Sequence, residues 1–149
     1  MNLKFYLIQF IIMIVVGVLF NPMNALAFRY NDLYLSTTLF YGGILMACNM
    51  IWAHEIIHYL SMGHINTPVF LVGVILSLLS TIFLLRKQFM VDDEQWLKRM
   101  ISHHSTAITT SKNIAKKSRN PQVIKLANEI VDAQEKEITL MKSLITISV

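Results

Sequence analysis

The sequence predicts an all-α protein in which three apolar helices precede an amphipathic helical hairpin. Three observations carry that expectation. Apolar residues make up 54% of the 149 residues and the mean hydropathy is +0.52, above the roughly 45 to 50% apolar share of soluble domains. Charge is segregated: before residue 86 only Lys4, Arg29, Asp32 and Glu55 occur, and they cancel, so the whole formal +4 falls on residues 86–149. Near residue 90 the pattern also changes, from unbroken apolar runs to apolar positions three and four apart. The expected organisation is a multi-pass membrane domain over 1–90 and a polar hairpin domain over 91–149.

The first apolar run, about 5–20, follows Lys4 and nearly spans a bilayer core of about 30 Å at a rise of about 1.5 Å per residue. Asn21-Pro22 stops it. A cleaved signal peptide is the competing reading, because Ala25-Leu26-Ala27 supplies small residues at a cleavage-like spacing; the length of the run favours an anchor. The second span is expected over about 35–62, with Gly63 as its stop, and the third over about 69–85, after the turn at Asn66-Thr67-Pro68 and closed by Arg86-Lys87. Arg29 and Arg86-Lys87 share a side and are opposed only by Lys4 and the amino terminus, which leaves the side of the hairpin undetermined. The isolated Cys48 permits no intrachain disulfide.

After Met90 the punctuation is helical. Asp92 is placed to cap, with Asp93 and Glu94 in the first turn and Gln95 at the capping-box position. Leu97, Met100, Ile101, His104, Ile108, Ser111, Ile114 and Ala115 form one stripe, and Asn120-Pro121 restarts the chain as cap and first-turn proline. The second helix carries Val123, Ile124, Leu126, Ala127, Ile130, Val131, Ile138, Met141, Leu144 and Ile145. Two helices do not bury both stripes alone, so a homo-oligomeric four-helix bundle, or packing on the spans, is expected to complete the core.

Two groups of residues carry candidate chemistry. On the hairpin, Met100, His103 and His104 lie three and four apart, and Met141 follows the carboxylates of the second helix. Thioether and imidazole donors suit a soft metal ion, Cu(I) or silver. In the second span, Met46, Met50, His54, His58 and Met62 recur every fourth residue and form a possible secondary ladder of such donors. Within it, His54-Glu55-Ile56-Ile57-His58 matches the zinc-peptidase motif, in which the glutamate activates a metal-bound water. Asp32, His64 and the acids of the polar hairpin are the candidates for the third ligand that a catalytic zinc needs, none of them in a recognisable second motif. The plainer expectation puts these histidines at a membrane interface beside Trp52 and Tyr59, and keeps Met100 and Met141 as core fillers.

The residues Asp93, Met100-Ile101, His103-His104, Ala107-Ile108, Asn120, Val123, Leu126-Ala127, Ile130, Gln134, Glu137-Ile138 and Met141 together resemble the domain of unknown function 305 family, the CopM-like copper-binding domain. The resemblance covers about residues 92–145, and the membrane half looks like a subgroup of that family with three spans before the hairpin. It implies a ferritin-like helical bundle and association with copper or silver. The family's Met-x-x-His-His signature falls on Met100, His103 and His104, and its later methionine falls on Met141. The chain departs from the pattern at Thr109, Thr110 and Ser111, where relatives often carry a further methionine, and it holds the signature once rather than twice, which favours a dimeric site.

The functional expectation is a membrane-anchored copper or silver binding protein used in metal tolerance or delivery. The alternatives are a non-catalytic interaction or dimerisation module and, less favoured, an intramembrane zinc metallopeptidase using His54-Glu55-x-x-His58. No phosphate loop, cofactor fingerprint or Glu-x-x-His di-iron spacing occurs in the hairpin. The expectation is therefore binding rather than catalysis, with the lipid bilayer and a second copy as partners and neither nucleic acid nor a small-molecule substrate.

Overall fold

The computed structural model describes residues 3–147, and among them all regular structure is helical, with no strand. Helix α1 covers Leu3–Leu19 and a single turn, α2, covers Pro22–Ala25; a 3₁₀ turn at Tyr30–Asp32 leads to α3, Thr37–Met62. Helix α4, Thr67–Leu79, runs on as a π-helical stretch over Ser80–Arg86. The hairpin consists of α5, Asp93–Lys117, and α6, Pro121–Ile147. The caps are those the sequence places: Asp92 accepts from the Gln95 amide at 2.8 Å and Asn120 from the Gln122 amide at 2.9 Å. Gly63 ends α3 with a φ of 68°.

The chain forms two compact units. One comprises the chain up to Phe20 together with Thr37–Met90; the other comprises Asn21–Ser36 and the chain from Val91 onward. Residues 21–36, which lie between two apolar runs in sequence, thus belong by contact with the hairpin.

In the first unit α3 packs between α1 and α4, and glycines set the approach. A Cβ on Gly43 would lie 2.9 Å from the Ile14 carbonyl oxygen, and one on Gly73 would lie 2.9 Å from the Trp52 amide nitrogen. Backbones therefore touch where side chains usually intervene, as in small-residue packing of membrane helices. The outward faces are apolar, with Leu7, Ile11, Val15, Leu71, Ile75 and Leu78 all exposed.

Among the described residues two helical stretches are long and apolar enough to cross a membrane, Leu3–Ala25 and Thr67–Arg86. The sequence leads one to expect three. Helix α3 has the length, at 26 residues, but Asn49, His54, Glu55 and His58 dilute its apolar character. Beyond α4, Gln88 and Met90 adopt left-handed φ values of 49° and 51°. The turn is fastened to the start of α3 by Thr38, whose hydroxyl donates to Gln88 at 3.0 Å, and by Tyr41, which donates to the Phe89 carbonyl at 2.6 Å.

The second unit has a conventional core. Leu97, Ile101 and Ile108 of α5 meet Val131, Ile138 and Met141 of α6, with Tyr34, Met100 and Ile145 packed at its edge. Across the other side of α5 lies the segment 21–36, where Ser102 and Ser105 are buried.

Candidate functional site

The histidine pair of α5 splits by direction. Adjacent helical residues point about 100° apart, and it is His104 that turns toward α6, with its side chain 13% exposed, while His103 stays exposed. The two rings are 5.9 Å apart at 61°. His104 Nδ1 lies 3.0 Å from Glu137 Oε2, yet it is buried without the alignment of a hydrogen bond. Burial pushes the imidazole below its ordinary value and His103 adds to that, with Glu137 opposing both. The ring is therefore neutral near pH 7 and offers a nitrogen lone pair or a single N–H. Met100, one turn before His104, packs on the aliphatic cluster in which Met141 is 6% exposed. The structure thus gathers Met100, His104 and Met141 along the α5–α6 seam and leaves His103 on the surface.

The ladder of α3 does not converge. Met46 and Met62 are exposed; Met46 lies against Gly17, and Met50 is half-buried. His54 stacks near Phe5 and Tyr6, with ring centroids 5.9 and 6.5 Å away. His58 Nδ1 is 2.8 Å from the His64 carbonyl oxygen.

Glu55, the would-be water activator, is 2% exposed and committed at both oxygens. Tyr6 donates to one at 2.5 Å and the Asn66 amide to the other at 2.9 Å. Tyr6, Glu55, His58, His64 and Asn66 enclose a small polar cavity of about 100 Å³. Among the described residues no three His, Cys, Asp or Glu side chains are grouped as metal ligands.

Asp32, another sequence candidate for a third ligand, is fully buried in the second unit. Its Oδ1 pairs with Lys142 Nζ at 2.5 Å and its Oδ2 accepts from the Ser105 hydroxyl at 2.8 Å. Ser102 donates to the Asp32 carbonyl at 2.8 Å, and Ser105 Oγ accepts from the Phe28 amide at 2.8 Å. Lys112 covers the Phe28 ring at 3.9 Å and pairs with Glu135 at 3.2 Å. Sequence reasoning misses this clasp. Its only signal is an isolated Asp between apolar runs, together with two serines one turn apart that interrupt no apolar period.

Apolar helices joined to a capped, amphipathic hairpin with a methionine and histidine seam define a class of helical-hairpin proteins. Residues 85–145 match the family described as "Domain of unknown function (DUF305)", and this chain belongs to that family. It is also 34% identical over 145 residues to "Uncharacterized protein L153" of Acanthamoeba polyphaga mimivirus, spanning 97% of this chain and 93% of that relative. No solved structure matches.

Proposed function

We propose that this chain is a membrane-anchored protein whose hairpin binds a soft monovalent metal ion, Cu(I) or silver, through His104, Met100 and Met141. The observation that carries the reading is the His104 imidazole, neutral and buried, with an Nδ1 that makes no aligned hydrogen bond. An unsatisfied buried polar atom costs about 1–3 kcal/mol, which a bound ion would offset. Thioether sulfur and neutral imidazole are a donor set that suits Cu(I), and the Glu137 carboxylate, 3.0 Å from the same nitrogen, adds negative charge that favours a cation there. His103, exposed and adjacent, is the entry ligand in this reading. The metal supplies soft-ligand affinity; the chain's part is to hold one nitrogen and two sulfurs on rigid helices.

In the same proposal α3 is a third membrane span. Support comes from connectivity: residues 21–36 and the hairpin form one compact unit, so the chain between them begins and ends on one side of a bilayer. If α4 crosses, α3 crosses with it. The polar groups of α3 then face α1 and the α3–α4 turn, where Glu55 finds its donors.

A peptidase reading draws no support from Glu55, whose oxygens are both engaged. The test is Cu(I) titration of the detergent-purified protein under reducing conditions, beside a Met100→Leu, His104→Ala, Met141→Leu variant. Stoichiometric binding in the wild type and its loss in a variant that remains helical is the expected result; no binding by the wild type would overturn the reading and leave an interaction module.

A further inference from the structure

Helix α6 carries two apolar seams, and the hairpin uses one. Ala127, Val131, Ile138 and Met141 face α5 and are buried. A second seam starts at Val123 and ends at Ile147, stepping alternately three and four residues without a break. Strict 3.5-residue spacing over so many turns is the pattern of a helix that pairs with another helix. Large aliphatic side chains on this seam stand in solvent, Leu140 at 59% and Ile147 at 80% exposure, as one continuous row along the helix, whereas the unit's other exposed apolar residues, such as Leu35, Trp96 and Ile114, lie apart from it in sequence. The seam also reads alike in both directions about its midpoint near residue 135. Set against a reversed copy of itself, Val123 meets Ile147, Leu126 meets Leu144, Ile130 meets Leu140, and the lone charge, Glu137, meets the small Ala133.

We infer that the outer seam of α6 is the docking surface for α6 of a second copy of this chain, paired antiparallel about a two-fold axis near residue 135. A two-fold interface requires that residue i touch j while j touches i, and the palindromic seam satisfies that at each layer. The parallel alternative sets Glu137 against Glu137, a like-charge pair at an apolar contact. A single polar residue in such a seam fixes register at some cost in stability.

Size predicts how firmly the pair holds. Helix α6 has 27 residues, about 40 Å at ~1.5 Å each, and a strip roughly 10 Å wide buries about 400 Å² per copy, half of the ~800 Å² per partner in stable complexes. Two copies confined to one bilayer gain effective concentration that compensates for the small area, so the dimer is a property of the anchored state. The inference therefore rests on the membrane part of the proposed function, and its test is run without metal.

The experiment uses full-length chains carrying Cys48→Ser, reconstituted in phosphatidylcholine vesicles with a metal chelator present, with carbonate-resistant insertion confirmed first. A mixture of Leu126→Cys and Leu144→Cys chains treated with a short thiol crosslinker is expected to give a covalent dimer, while Leu126→Cys alone gives none, its two copies lying roughly 27 Å apart along the axis at ~1.5 Å per residue. Adding Val123→Glu and Leu140→Glu to both chains, at positions already exposed, is expected to lower crosslinking by roughly tenfold while helicity is retained, because the seam then buries unpaired charge. Crosslinking of Leu126→Cys with itself, or no crosslinking of the mixture in inserted protein, would overturn the pairing. Failure to insert would instead overturn the membrane reading.

Discussion

The two units are packed in opposite senses. In the hairpin unit a cluster of large aliphatic residues is inside and, Asp32 apart, the charges are outside, with Ile101 and Ile108 fully buried. In the helix α1, α3 and α4 unit most buried positions are small or polar, Gly17, Gly43, Gly73, Ala47, Cys48, Ser77, Ser80 and Glu55, with Leu39 and Tyr41 the large exceptions, while many leucines, isoleucines and phenylalanines point outward. Each arrangement suits a different surrounding. Water drives aliphatic side chains into a core, whereas lipid gives them no reason to leave the surface and leaves close backbone contact and internal hydrogen bonds to hold helices together. The outer seam of α6 is the longest continuous departure from that arrangement in the hairpin unit, beside separate exposed residues such as Leu35 and Ile114.

The comparison can be broken most forcefully at Asp32. Asp32→Ala leaves the Lys142 ammonium and the Ser105 hydroxyl without their acceptor and is expected to cost about 3–5 kcal/mol. Hydrogen exchange should rise across α5 and α6 and leave α3 and α4 protected; equal loss in both units would refute the division. Next comes Ile101→Ala, a loss of about 2–5 kcal/mol from the aliphatic core, measured by the same exchange. The inverse test is Gly43→Leu, which forces α1 from α3 and is expected to cost about 1–3 kcal/mol in the first unit alone, read as detergent-dependent thermal aggregation.

A smaller effect belongs to His104. Its folded value lies below the ordinary 6.5, so the unfolded chain binds more protons in that window and hairpin stability falls as pH drops through about 6.5 toward the folded value. His104→Gln should flatten that slope, as followed by denaturant midpoints at several pH values. Least of all, Lys125→Ala removes an exposed pair with Glu129 and should change stability by no more than about 0.5 kcal/mol.

Much of the fold is legible in the chain because it depends on local signals. Asp92, Asn120 and Gly63 terminate helices by chemistry that acts within four residues, and the 3.6-residue period of the hairpin names most of its core. The site is half legible. Spacing puts Met100 and His104 on one stripe, and His104 does turn toward α6, but its partner Glu137 depends on where α6 crosses, which no local period encodes. The Asp32 clasp is invisible for the same reason: its partners Ser105 and Lys142 lie 73 and 110 residues away, and serine carries no hydropathy signal strong enough to mark a buried face. The character of α3 is hard to read from composition because polar residues such as Glu55, whose oxygens accept from Tyr6 and the Asn66 amide, sit within its apolar run.

The 110 residues between Asp32 and Lys142 also impose an order of events during synthesis. At about 5–20 residues per second, the aspartate waits roughly 5 to 20 s for its lysine, and in that interval both α3 and α4 must be made and delivered to their places. If α3 and α4 cross a bilayer as proposed, a chain in which one of them fails to insert would carry its hairpin on the far side from residues 21–36. The carboxylate then has no ammonium to meet, Ser102 and Ser105 stay wet, and a protease that samples open hairpins finds one. Closure of the clasp is thus a late event, completed only after the residues between its two partners have been made and placed.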